Sequence, residues 1–489
     1  MYGCQTNFYL KMRNIQFDFS PRTEPLKHQI EAIEFMKGKK DIPLFDEQGL
    51  GKSKIVIDTL CSDLNENIID SALIVCKKTL LRMWEKEISK HSHLQSTVLS
   101  GTKRQRGRSF MHFTHFYLVN YESLISELDR IKMFLGLRKF AIILDESQKI
   151  KNPNSKITKS ILKLKDLAVK RMIITGTPIA NRPEDLWTQF YFLDGGETLG
   201  DDFAEFRNKF KVNLKGEQNL DRYEWTLSLL RKKIEEVSIR RTKDVLELPE
   251  KVYKDEYVKL SGTQKGMYDK AKSELLLEIK SIEGNIVREE IENYLVKLLR
   301  LTQIASNPAL LDGSYDEIPA KFLKLDDILK NIIDKDEKVI IWTSFRKNIR
   351  GLRRRYKKYG SMMLFGEMLI EDRNKVVEKF MEMPQNKVLI ANPSAAKEGL
   401  TLTSANNAIY LDRSFKMDDY LQSQDRIHRI SQEKKCNIIK LIAKDSIDEY
   451  TDEILEKKHI IAQYTLGDIK NIEMDREFLN KEDIIRILG

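Results

Sequence analysis

Short apolar runs alternate with longer stretches of helical periodicity along most of the chain. In the first part the runs are Ala72–Cys76, Phe116–Val119, Phe140–Leu144 and Met172–Thr175. A second series, Val339–Trp342, Met362–Leu364, Val388–Ala391, Ala408–Leu411 and Ile438–Ile442, follows residue 337. Unbroken apolar runs of this length suit strands covered on both faces, and their alternation with helices is the rhythm of a parallel sheet with crossover helices. Two α/β units are predicted. Between about Gly195 and Asn307 the pattern turns charged and helix-periodic, as in Gln264–Lys280 and Glu289–Thr302, with no comparable strand run. This predicts helical insertions. Asp312-Gly313-Ser314-Tyr315 is a turn-rich break, and no low-complexity tract or short repeat is present.

A chain of 489 residues is too long for one core and suits two or three domains. Its 84 Lys and Arg against 74 Asp and Glu give a net charge of +10, which favours an anionic partner without identifying it. Cys4, Cys61, Cys76 and Cys436 form no CxxC pair and no metal spacing with the histidines, as in a reducing cytosol. Met1 to Ser20 lacks the apolar core of a secretion signal, and no apolar run approaches the roughly 18 residues of a membrane span. A soluble protein with no membrane partner is expected, cytoplasmic in a bacterial or phage setting and nuclear in a eukaryotic one.

The chemistry begins at Asp46-Glu47-Gln48-Gly49-Leu50-Gly51-Lys52-Ser53, between a short strand-like run and a helix. Glycines let the backbone wrap a triphosphate, its N–H groups and the helix start favour anionic oxygens, and Lys52 and Ser53 can reach the β/γ-phosphates and Mg2+. The general GxxxxGK[ST] pattern has Gly where this chain has Asp46, so the motif alone leaves an ordinary strand–helix turn open. Ninety residues on, Phe140–Leu144 delivers Asp145 and Glu146 at its carboxyl end. An acid beyond a buried strand can help to hold Mg2+ and a second can polarise the attacking water, roles that fit Asp145 and Glu146 in that order. Taken alone, the same two residues also fit a solvated loop.

The order of Leu26-Lys27-His28-Gln29, the Asp46–Ser53 loop, Leu73–Cys76, Asp145-Glu146-Ser147-Gln148, Thr175-Gly176-Thr177-Pro178, Gly399-Leu400-Thr401-Leu402 and Gln422–Ile430 resembles the Snf2 family of superfamily 2 ATPases, over about residues 26 to 460. In that family the phosphate loop usually opens with Asp-Glu, which accounts for Asp46. Thr175–Asn181 followed by Glu184–Trp187, Arg240-Arg241-Thr242-Lys243 before Leu248-Pro249, and Gln303–Leu311 also look like family-specific elements.

The resemblance implies an α/β fold of two RecA-like lobes with parallel sheets, Snf2-type helical insertions and ATP between the lobes. Lobe 1 would span 1–194 and its helical protrusion 195–247. A linker with the protrusion of lobe 2 would span 248–320, and lobe 2 with C-terminal helices 321–489. Gln29 would recognise adenine. Asp46, Gly49, Gly51, Lys52, Ser53 and Gln422 would bind nucleotide, with Ser53 and Asp145 on Mg2+ and Glu146 on the water. Arg426 and Arg429 would be arginine fingers, sharing one face of a helix at a spacing of three. Thr175 and Thr177 would couple nucleotide state to nucleic acid, which Lys77, Arg346, Lys397 and Thr401 would also touch.

Two motifs depart from the family pattern. Ser147-Gln148 replaces Ala-His or Gly-His, and Ala395-Ala396-Lys397-Glu398 stands where Ala-Gly-Gly is common before Gly-Leu. The second variant looks closest to the distant branch of annealing helicases and fork remodellers. Further basic clusters that could track phosphates are Lys77-Lys78, Lys103 to Arg108, Lys149 to Lys151, and Arg346 with Arg350 and Arg353-Arg354-Arg355. No obvious aromatic spine for stacking single-stranded bases favours duplex. The implied function is an ATP-dependent translocase or remodeller of double-stranded DNA, a bare motor or one targeted by a partner protein. The alternatives are a strand-separating DNA or RNA helicase and a nucleotide-switched DNA-binding subunit of a larger complex.

Overall fold

The computed structural model describes residues 17–210, 217–281, 288–398 and 400–471. Cys4 and Gly399, and the side chain of Lys397, lie outside the described residues. The chain divides into two compact units. One is built on residues up to Ile179 with Glu184–Phe210 and Lys232–Val245; the other takes Ala180–Pro183, the described part of 211–231 and the chain from Leu246 onward.

The first unit is a six-stranded parallel sheet of β1 (Asp41–Leu44), β2 (Ser71–Cys76), β3 (Ser96–Val98), β4 (Phe116–Asn120), β5 (Phe140–Asp145) and β6 (Lys170–Ile174), in the order β1-β6-β5-β2-β4-β3. Every residue of β2 and β4 is buried, as their unbroken apolar runs require when helices cover both faces. On one face Ala72, Ile74 and Cys76 pack with Met36, Ile55, Leu60 and Trp84 from the helices Lys27–Met36, Lys52–Asn65 and Leu81–His91. β1 is the sheet's edge, which is why Pro43, with no N–H to donate, is tolerated there. Beyond β1 runs a strand-like strap. Ile239 N–H donates to the Pro43 carbonyl (3.1 Å), Phe45 N–H to Ile239 (2.8 Å) and Glu47 N–H to Arg241 (2.9 Å).

The second unit is also a six-stranded parallel sheet, with β7 (Lys251–Val258), β8 (Val339–Trp342), β9 (Met362–Leu364), β10 (Val388–Ala391), β11 (Asn407–Tyr410) and β12 (Cys436–Ala443) in the order β7-β12-β11-β8-β10-β9. β7 corrects the expectation of purely helical structure between 195 and 307: it pairs with β12 along its whole length, Lys251 opposite Cys436 to Val258 opposite Ala443. It is an edge strand with a largely exposed surface, and its four charged residues hide the β-formers Val252, Tyr253, Tyr257 and Val258. β3 is too short to register as an apolar run. The helices expected in this region are present at Gly262–Ser281 and Arg288–Ser306. Tyr268, Leu301 and Ile304 from them form a core with Ile447, Tyr450 and Ile454 of the helix Ile447–Thr465. Among the described residues no helix is long and apolar enough to cross a membrane.

Candidate nucleotide site and arginine turn

In a parallel sheet all strands end at one edge, and the register decides which ends are level. Leu44 of β1 pairs with Ile174 of β6, and Ile174 pairs with Asp145 of β5. The three segments that follow, Asp46–Gly51, Glu146–Gln148 and Thr175–Pro178, therefore leave the sheet side by side. This juxtaposition at the carboxyl ends of neighbouring strands is where open α/β sheets bind ligands.

The loop after β1 depends on its glycines. Gly49 and Gly51 have φ of 94° and 78°, a region that side-chain-bearing residues rarely occupy, and Gly51 begins the helix Lys52–Asn65. A Cβ on Gly51 would lie 2.3 Å from Gln29 Nε2, so the same glycine admits the candidate adenine-reading side chain. Gln29 is buried, accepts from Leu26 N–H (2.9 Å) and donates to the Leu50 carbonyl (3.2 Å). Lys52 curls over its own loop, its Nζ donating to the carbonyls of Asp46 (2.7 Å) and Glu47 (2.9 Å). Burial lowers its pKa, opposed by the charges of Asp46, Glu146 and Asp145. Ser53 follows in the helix's first turn, half-buried.

Asp46 is wholly buried and its carboxylate is taken by Arg241, with Nε to Oδ1 at 3.0 Å and Nη2 to Oδ2 at 2.5 Å. Its side chain thus supports the loop from behind, and its carbonyl is the part that meets Lys52. Arg241 also donates to the His28 carbonyl, Arg240 to the Phe45 carbonyl (2.7 Å), and Lys243 N–H to the Glu47 carboxylate (2.8 Å). One strap therefore ties the phosphate loop to the helix carrying Gln29. Arg240 and Arg241 stood out in the sequence as a family element, but nothing local linked them to a loop some 195 positions earlier.

Asp145 closes β5. Its Oδ2 accepts from Trp84 Nε1 (2.8 Å), and its carbonyl accepts from Tyr121 Oη (2.8 Å). Burial, then the neighbouring Glu146 charge, pushes its pKa up to about 6 against the pull of Trp84, Lys52 and Lys77. Lys77, expected on nucleic acid, follows β2 beside β5, and its charge is felt at this carboxylate. Glu146 has φ of 54°, a left-handed conformation costly for a residue with a Cβ. Gln148 Nε2 holds its Oε2 at 2.5 Å and also reaches Thr177 Oγ1 at 3.5 Å. Thr175 Oγ1 accepts from Thr177 N–H (3.0 Å), and Ser147 Oγ donates to Gln189 Oε1 (2.6 Å), whose Nε2 donates to the Pro178 carbonyl (2.8 Å). A Cβ on Gly176 would sit 3.0 Å from Gln48 N, so this loop packs closely on the phosphate loop. Ser147 and Gln148, the departures from the family pattern, are the residues that join the acids to Thr177 and Pro178. Trp84, Tyr121 and Gln189 carry no local sequence signal for these contacts.

The donors suit Mg2+: the Ser53 hydroxyl and the half-buried Asp145 carboxylate beside a second acid are hard oxygens. Among the described residues no group of three or more His, Cys, Asp or Glu could hold a metal ion, so phosphate oxygens would have to complete the set.

In the second unit the helix Met417–Gln424 ends before both candidate arginine fingers. The expectation that they share a helix face is therefore corrected: Arg426 and Arg429 lie in the turns that follow. Each still reaches back four residues, Arg426 Nε to the Gln422 carbonyl (3.0 Å) and Arg429 Nε to the Asp425 carbonyl (2.9 Å). Arg426 is buried and also donates to the Leu400 carbonyl (3.3 Å), whereas Arg429 donates to the exposed Thr401 hydroxyl (3.1 Å). Gln422 is wholly buried. Lys397 lies in the turn Pro393–Glu398, and exposed Arg346 pairs with Glu367 at 2.5 Å.

Residues 28–310 match the SNF2-related domain and residues 320–431 the helicase conserved C-terminal domain. An uncharacterised ATP-dependent helicase of Mycoplasma genitalium is 27% identical over 497 residues, covering 99% of this chain and 46% of the relative. A putative ATP-dependent helicase/translocase of Bacillus subtilis is 29% identical over 490 residues, covering 91% and 52%. The chain spans about half the length of these curated relatives. The solved SWI2/SNF2 ATPase core of Sulfolobus solfataricus in complex with dsDNA is 28% identical, covering 93% of this chain and 96% of that one, with a TM-score of 0.44.

Proposed function

The chain belongs to the SNF2-related family, and from that premise we propose that the protein is an ATP hydrolase of the helicase-like class that moves along or remodels double-stranded DNA with little strand separation. The observation that carries this reading is the hydrogen-bonded path from Glu146 through Gln148 to Thr177. The acid suited to polarise the attacking water shares a polar contact with a loop suited to touch nucleic acid, so occupancy of either site changes the other.

Gln29 reads adenine, while Lys52 leaves the Asp46 and Glu47 carbonyls to meet phosphate oxygens that repay both hydrogen bonds with full negative charge. Ser53 and Asp145 would hold Mg2+, which would supply positive charge against the anionic phosphates. Glu146, fixed by Gln148, orients and accepts a proton from water, and Arg426 and Arg429 of the second unit offset charge developing on the transferred group. Gln422 places Arg426 through its carbonyl. Thr175, Thr177, Lys77, Arg346, Lys397 and Thr401 contribute to the nucleic-acid contact.

ATP turnover measured with equal masses of duplex DNA, single-stranded DNA and RNA tests this. Duplex should stimulate most, with little regard to base sequence, and stimulation should fall steeply between about 50 and 200 mM salt because phosphate contacts release counterions. Strongest stimulation by a single strand would support instead a strand-separating helicase, the activity in the names of the relatives. Turnover indifferent to every nucleic acid would leave a nucleotide-switched subunit of a larger complex.

A further inference from the structure

The helix Arg346–Arg355 of the second unit, with the turn Lys357–Tyr359 that follows, has two unlike faces. Ile349, Leu352 and Tyr356 are buried in the core beneath the sheet. The outward face is basic, and from Arg346 to Lys358 the sequence contains no acid at all. Arg350, Arg353, Arg354 and Lys357 are exposed; the three arginines stand at i, i+3 and i+4 of the helix and form one stripe, and Lys357 follows in the turn beyond its end.

The two ends of the helix are neutralised and the middle is not. Arg346 pairs with Glu367, while Arg355 pairs with Asp326, which also accepts from Tyr356 Oη at 2.9 Å. Arg350, Arg353, Arg354 and Lys357 make no ion pair with a described acid. Like charges at these spacings repel, and an ordinary solvated face intersperses acids to relieve them. This helix instead keeps a row of uncompensated cations on a surface that Tyr356 and Asp326 hold in place. From Arg350 to Arg354 the helix rises about 6 Å, a length over which duplex DNA presents about three to four phosphates. Three of the four side chains are arginine, whose planar fork matches phosphate oxygens better than an ammonium does. A lipid surface fits less well, because the apolar residues that an interfacial helix would insert are committed to the core.

We propose that Arg350, Arg353, Arg354 and Lys357 form a contact for the phosphate backbone of duplex DNA on the second unit, separate from the Thr401 and Arg429 turn. The proposal rests on the duplex-DNA reading above. Its test is the affinity of the full chain for a labelled duplex of about 30 base pairs, measured from about 50 to 200 mM KCl. Three proteins are compared: the parent, a variant with Arg350→Gln, Arg353→Gln, Arg354→Gln and Lys357→Gln, and a charge-matched control with Arg82→Gln, Lys86→Gln, Lys90→Gln and Lys163→Gln at exposed positions elsewhere.

Each lost phosphate contact lowers the slope of log affinity against log salt by about 0.9, so the stripe variant should be shallower by three to four and the control close to the parent. Arg350→Lys, Arg353→Lys and Arg354→Lys together keep the charge and should restore most of the slope, which a merely unfolded variant would not explain. A stripe variant with the parental slope overturns the proposal while leaving duplex binding intact. A parent whose duplex affinity does not depend on salt overturns the duplex reading itself. Anionic phosphatidylserine vesicles that bind the parent and not the stripe variant, with duplex slopes equal, would assign the surface to lipid and overturn the proposal.

Discussion

The two sheets have one topology: adding six to each strand number of the order β1-β6-β5-β2-β4-β3 produces β7-β12-β11-β8-β10-β9. The equivalent positions do different chemistry. β5 ends in Asp145, and its counterpart β11 is followed two residues later by Asp412. Asp145 is half-buried beside Glu146, and desolvation with that neighbouring charge raises its pKa. Asp412 accepts from Ser306 Oγ (2.9 Å), Thr343 Oγ1 (2.6 Å) and Ser344 N–H (2.6 Å). One acid is left short of positive charge and fit to take a cation; the other is used up as a buried knot joining the Gln303–Leu311 segment to its sheet. Topology places an acid at a strand end, and its neighbours decide whether that acid is available.

The first strands differ in the same way. β1 runs into the glycine loop and Lys52, whereas β7 runs through Lys259 and Leu260 into the helix Gly262–Ser281 with no Gly-Lys-Ser. The cations proposed for the second unit, Arg426 and Arg429, stand instead in the turn after Met417–Gln424. Lys52 and Arg426 both rest on main-chain carbonyls, and Arg241 and Lys321 are bound to the carboxylates of Asp46 and Asp448. A carbonyl releases a cation to phosphate far more readily than a carboxylate does.

If the units divide the work in this way, the largest effect is on turnover. Replacing Arg426 or Arg429 by Ala should slow single-turnover hydrolysis by roughly three to five orders of magnitude while ATP affinity changes far less. DNA-stimulated rates near the parental value in both variants would break the division of labour. Lys52→Ala should remove hydrolysis with loss of nucleotide affinity, in contrast to Glu146→Gln, which should hold ATP without turning it over.

A smaller effect separates the two strand-end acids in thermal unfolding. Asp412→Ala strands two buried donors and the half-buried Ser344 N–H, and should cost about 2–4 kcal/mol, lowering the melting temperature by several degrees. Asp145→Asn should leave it unchanged or raise it. The folded state holds the Asp145 proton more tightly than the unfolded chain does, so its contribution to stability is present below the ordinary carboxylate range and is lost as pH rises through about 6. Removing its charge removes that loss. Equal destabilisation by both substitutions would show that Asp145 is also a structural knot.

The smallest effect sharpens the same contrast by pH. Between pH 7 and 5 the affinity for Mg-nucleotide should fall, by up to tenfold per unit below about 6, because a protonated Asp145 no longer attracts a divalent cation. Asp145→Asn should bind weakly and without this dependence; a parallel slope in that variant would place the titration elsewhere.

The phosphate loop, the acid pair and most core strands were legible in the sequence because each depends on neighbours along the chain: glycines at φ above zero, a lysine at a helix start, apolar runs that bury both faces. β7 was not, since an edge strand exposes most of its side chains and only its pairing with β12 makes it a strand. The spacing of Arg426 and Arg429 suggests a shared helix face, which the structure does not provide because the helix stops at Gln424. The clamp of Arg241 on Asp46, the bonds of Trp84 and Tyr121 to Asp145, and the bridge of Gln148 between Glu146 and Thr177 belong to the tertiary structure alone. Local sequence determines which groups the backbone can present, through dihedral freedom and hydrophobic period. Which groups then meet, and so which charges are spent and which stay available, depends on strand order and register, which bring residues tens to hundreds of positions apart to the same edge of a sheet.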